Sequence, residues 1–74
     1  MTQNLIRDAL TKLDIVPGDY VALLNITYVG NVELTPNEGL LVTEVHNSNG
    51  IIYITIANKN GIKCMKRRDE VHKL

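Results

Sequence analysis

Apolar side chains fall into three zones along the chain, separated by turn-forming residues. Over residues 2–14, Leu5, Ile6, Ala9, Leu10 and Leu13 recur at spacings that line one face of a helix. Gln3, Arg7, Asp8, Thr11 and Lys12 occupy the other face. The side-chain oxygen of Thr2 or Asn4 can cap its start. Pro17-Gly18 stops it, because proline pushes the residue before it out of the α region and glycine tolerates the turn. A helix of about three turns is marginal alone. This stripe is therefore expected to close an open end of the domain or to pack on a partner.

The second zone carries strand signals. Residues 19–28 form a nearly unbroken apolar run rich in Val, Ile and Thr, long enough for a strand buried on both faces or bent round a corner. Residues 38–46 read the same way after Pro36-Asn37, and residues 47–50 (Asn-Ser-Asn-Gly) are a turn cluster. Beyond it Ile52, Ile54 and Ile56 alternate against Ile51, Tyr53, Thr55 and Ala57. Asn60-Gly61 predicts a hairpin with a type I′ turn. After it Ile62, Cys64 and Lys66 alternate against Lys63, Met65 and Arg67. Residues 38–67 thus predict a three-strand meander. Residues 66–70 are too polar for a core strand and suit a helical turn, and Val71-His72-Lys73-Leu74 alternates as a short final strand. Residues 29–35, with apolar Val29, Val32 and Leu34, are expected to be a long hairpin loop folded over the core.

Length limits what these elements can build. Seventy-four residues suffice for one domain with a small core, a helix and connection over 1–16 and a β unit over 17–74. No run approaches the ~18 apolar residues of a membrane span, and the start lacks the pattern of a signal peptide. A single cysteine forms no intrachain disulfide and points to the cytoplasm.

Charge is unevenly placed. Residues 1–45 hold two basic and six acidic side chains, whereas residues 46–74 hold six basic and two acidic ones, so a neutral chain conceals two opposite halves. Lys59, Lys63, Lys66, Arg67 and Arg68 are a candidate phosphate-contacting stripe, with Tyr53 as a possible stacking ring. Against this stand the pI of ≈ 6.7 and the common alternative of a solvated outer face. Tyr28, Val29, Val32 and Leu34 are the candidate contacts for a protein partner. With Tyr20, Tyr28 and Tyr53 as its only aromatics, the chain is poor in material for a proline-peptide groove or a methyl-lysine cage. Tyr20 and Tyr28 are expected to cover the rim of the core.

Other chemistry finds little purchase. His46, Cys64 and His72 have no recognised metal-ligand spacing, so no metal or cofactor is expected. Ser48 is explained by its turn, and Cys64 lies among basic neighbours but alternates with core residues. Glu38 and Glu44 share a face by parity yet lie ~20 Å apart along a strand, too far for an acid–base pair. Catalysis is not expected.

Residues 17–23 (Pro-Gly-Asp-Tyr-Val-Ala-Leu) resemble the Gly-Asp-x-Val opening strand of SH3-like small barrels of the KOW or translation-factor kind. Residues 36–45 (Pro-Asn-Glu-Gly-Leu-Leu-Val-Thr-Glu-Val) are similar to their second strand, and Asp69-Glu70-Val71 to the turn into their last. The likeness spans 17–74 and implies a mainly β fold: an SH3-like antiparallel barrel of about five strands, here with an added N-terminal helix. It departs from the KOW pattern at residues 28–34, which lack that pattern's basic loop. Barrels of this size and neutrality are frequent among bacteriophage and prophage proteins. The resulting expectation is a non-catalytic accessory module, monomeric or weakly dimeric. It associates with nucleic acid or a nucleoprotein complex through the basic face, or alternatively acts as a protein adaptor, for instance on a host factor, through the acidic half, the helix and residues 29–34.

Overall fold

The computed structural model describes residues 15–74. The helix expected over residues 2–14 lies outside them. Seven strands follow in order: β1 Tyr20–Leu23, β2 Thr27–Val29, β3 Val32–Leu34, β4 Leu40–Ser48, β5 Ile51–Ala57, β6 Lys63–Arg67 and β7 Val71–Lys73. A 3-10 turn, Arg68–Glu70, separates the last two. The principal sheet is antiparallel in the order β6-β5-β4-β1-β7, and β2 and β3 form a separate two-stranded ribbon. β6 and β7 are the edges of this sheet, so the strands of the expected small barrel do not close into one. The meander, the helical turn and the short last strand are present as expected.

Local chemistry explains each boundary. Pro17-Gly18 occupies the centre of a turn in which Asp19 N–H donates to Val16 O at 3.1 Å, with Gly18 at φ 100°. Proline at the second position and glycine at the third suit a type II turn. The Asp19 carboxylate accepts from Val16 N–H at 3.1 Å and lies 3.5 Å from Lys73 Nζ, tying the entry of β1 to β7. The run 19–28 is two strands and not one. The chain bends at Leu24-Asn25, and β2 leaves the principal sheet. Residues 29–35 are likewise no loop: Val29 pairs with Val32 about Gly30, at φ 61°.

The core consists of Ile15, Val21, Leu23, Leu34, Leu40, Val42, Ile54, Ile56 and Val71, with Val29, Val32, Val45, Ile52 and Cys64 packed against it. Each fully buried branched side chain contributes about 1.5–3 kcal/mol. The β2–β3 ribbon lays one face on this core through Leu34, which is 0% exposed. No buried polar or charged residue interrupts it among the described residues.

A bulge decides which β4 side chains reach solvent. Val42 pairs with Ile56 and Glu44 with Thr55, leaving Thr43 as the extra residue. Its hydroxyl donates to Thr55 O at 3.3 Å. Without the bulge, strict alternation from Leu40 and Val42 would turn Glu44 and His46 inward. With it, Val45 faces the core while Glu44 and His46 are exposed. The parity argument that put Glu38 and Glu44 on one face therefore fails, and Glu38 lies before the strand, its carboxylate accepting from Thr35 N–H at 3.1 Å.

Candidate functional site

The outer face of the meander is built by register. His46 pairs with Tyr53 and Tyr53 with Arg67, making one cross-strand row. The next row is Glu44, Thr55 and Met65, and beyond it Ala57 pairs with Lys63. Because alternate residues share a face, Lys63, Met65 and Arg67 stand together on edge strand β6, all exposed. Tyr53 is half-buried, and Met65 is an exposed large apolar side chain. His46, Asn47, Ser48, Tyr53 and Met65 line an open depression of ≈ 500 Å³. A second, of ≈ 370 Å³, is lined by Gly50, Ile51, Ile52, Arg67, Arg68 and Asp69.

The five basic candidates do not form one stripe. Lys63 and Arg67 share the outer face with Tyr53, and Lys59 is exposed in the β5–β6 turn. Lys66 points to the other face, pairs with Ile54, and lies 3.9 Å from Glu70. Arg68 Nη1 donates to Val71 O at 3.1 Å, which commits that contact to the start of β7. Arg67 Nε lies 3.3 Å from Asp69 Oδ1 and 3.7 Å from Glu70 Oε1. Such exposed pairs contribute only about 0–1 kcal/mol, so a ligand displaces them at little cost.

Glu70 organises this corner. Its carboxylate accepts from Arg67 N–H at 2.9 Å, as an acidic side chain does at a helical N-terminus. That hydrogen bond holds the Glu70 pKa below the ordinary carboxylate value against the opposing effect of burial, and the cations of Lys66 and Arg67 act in the same direction. Glu44 and His46, 3.1 Å apart, pair along β4 at the far end of the row.

The second set of candidates divides as well. Leu34, expected to meet a partner, is sealed in the core, and Val29 and Val32 are half-buried against it. Tyr28 alone of the four is well exposed, its hydroxyl donating to Glu33 Oε2 at 3.1 Å. That acceptor, and the charge it carries, raise the Tyr28 pKa. Tyr20 and Tyr28, expected at the rim of the core, are 54% and 66% exposed. Tyr20 and Leu74 flank Gly39, where an added Cβ would lie 3.9 Å from Tyr20 Cδ1 and 3.6 Å from Leu74 Cδ1.

Cys64 is half-buried on the inner side of β6. Burial pushes its thiol pKa up, Lys66 partly offsets that, and Glu70 adds to it, the opposite of what activates a nucleophilic cysteine. Among the described residues no three His, Cys, Asp or Glu side chains gather as metal ligands, and no helix is long and apolar enough to cross a membrane. The cross-strand row and the two depressions were beyond sequence reasoning. Parity assigns faces within a strand, but the bulge at Thr43 and the register between strands decide which side chains meet. No family model, curated protein or solved structure matches the chain.

Proposed function

We propose that this protein is a non-catalytic accessory module with an SH3-like arrangement of strands. Its outer meander face binds nucleic acid, alone or within a nucleoprotein complex. The observation that carries the reading is the row His46–Tyr53–Arg67, flanked by Met65 and Lys63 on the exposed face of β5 and β6. A π-face beside cations is what a base and its phosphate require. The SH3-like description rests on a strand, a ribbon, a three-strand meander, a 3-10 turn and a last strand returning beside the first.

Fluorescence anisotropy with a labelled mixed-sequence single strand and duplex tests this. Binding at low salt should weaken as salt rises, with a slope near −1.4 in log K against log salt if two phosphates of a single strand are met. Lys63→Glu with Arg67→Glu should weaken it by roughly tenfold or more. Unchanged binding in that double variant sinks the proposal.

A second reading has its own support. Val16, Tyr20, Leu24, Ile26, Tyr28 and Leu74 are exposed large side chains clear of the basic face. They suit a protein adaptor, and that association would depend only weakly on salt. Tyr20→Ser with Tyr28→Ser would abolish it and leave nucleic-acid binding intact.

A further inference from the structure

The two depressions on the meander are each lined by one member of a single residue pair. Tyr53 lines the larger, Arg67 lines the smaller, and the two are direct cross-strand partners, with Cα atoms about 5 Å apart. The larger offers an aromatic ring, a thioether, an imidazole and the polar side chains of Asn47 and Ser48. The smaller offers the aliphatic walls of Ile51 and Ile52 and, at its rim, the Asp69 carboxylate. Asp69 is exposed, with its Oδ1 3.3 Å from Arg67 Nε.

Resting on the nucleic-acid reading above, we infer that these depressions are two base subsites for adjacent nucleotides of a single strand, with guanine selected at the Asp69 subsite. The linking phosphate lies over the border, where Arg67 can receive it through its terminal Nη atoms by charge-assisted hydrogen bonds. One base stacks on Tyr53 and Met65. The other lies against Ile51 and Ile52 and turns its Watson–Crick edge to Asp69. An ionised carboxylate is an acceptor only, with two oxygens side by side. Guanine presents two adjacent donors, N1–H and the exocyclic amino group. Adenine and cytosine pair their amino group with a ring acceptor, and uracil or thymine sets its one N–H between two carbonyls. The strand must be single because a paired base hides that edge.

Labelled hexanucleotides test this: an all-thymidine strand and versions carrying one guanosine, adenosine or cytidine at the third position. The guanosine strand should bind roughly tenfold tighter than the others, the discrimination a good bidentate contact supports. Asp69→Asn should bring all four within about twofold while leaving thymidine binding in place. Tyr53→Ala should weaken all four alike, and Tyr53→Leu, which keeps the bulk, controls for folding. Equal binding of the four by the wild-type protein overturns the guanine subsite and leaves the nucleic-acid face standing. A guanosine preference that survives Asp69→Asn overturns the role given to that carboxylate. Failure of every strand to bind at low salt overturns both.

Discussion

Glu70 shows how one side chain can govern a local arrangement. Its carboxylate receives the Arg67 N–H that opens the 3-10 turn, while Leu24 N–H donates to Glu70 O at 3.1 Å on the way into β7. Its folded pKa lies below its ordinary value. The stabilisation is therefore complete above the unfolded pKa, about 4.3, and is lost as pH falls through the lower folded value. Thermal unfolding followed from neutral pH to about pH 3 should show a decline that Glu70→Gln flattens. An identical decline in that variant would assign the acid sensitivity to other carboxylates. The glutamate's neighbours Lys66 and Arg67 were legible as cations on opposite faces of β6, but not as two charges that both lie within 4 Å of one carboxylate across the turn.

At the scale of elements, two Asn-Gly pairs take different turns. Asn49 and Gly50 both have positive φ, at 53° and 84°, and join β4 to β5 with Ser48 opposite Ile51, as a type I′ turn requires. At Asn60-Gly61 only Gly61 is positive, at 81°. There Gly61 N–H donates to Asn58 O at 3.0 Å and Asn58 N–H to Ile62 O at 2.9 Å. The Asn58 side chain also accepts from Asn60 N–H and Ile62 N–H, both at 2.9 Å. That is a three-residue loop with glycine in the left-handed position, and it corrects the type I′ expectation for residues 60–61. The dipeptide alone does not choose between them, since Asn58 two residues upstream offers a competing acceptor. Asn49→Ala should cost about 1 kcal/mol, the penalty of a left-handed alanine, whereas Asn60→Ala should stay within about 0.5 kcal/mol. Urea denaturation of both variants decides it, and equal costs would contradict the two geometries.

Among the described residues the core is assembled from Ile15 and five of the seven strands, while β2 and the edge strand β6 add only Val29 and Cys64 beside it. The ribbon β2–β3 hides its role in the sequence, because Val29, Val32 and Leu34 there have the apolar content of an interaction loop. Leu34 distinguishes the possibilities. Buried beneath the ribbon, Leu34→Ala should cost about 2–5 kcal/mol, a large part of a small domain's stability. Were Leu34 a partner contact, chemical denaturation would show almost no change. The same scale explains the open sheet. Edge strand β6 carries Lys63, Lys66 and Arg67, and charged side chains on an edge discourage pairing with another sheet.

By itself the sequence determined the mainly β class, the meander, the turn before the last strand and which side chains of β5 and β6 share a face. Those follow from alternation and turn chemistry, which act between neighbours in the chain. Tertiary structure alone decided that residues 19–28 break into two strands, that Leu34 is core, and that the sheet stays open. It also decided that Tyr53 pairs with Arg67, each lining a different depression. These depend on register, on the bulge at Thr43 and on which strands find one another, all set by contacts between residues distant in sequence and invisible to any local pattern.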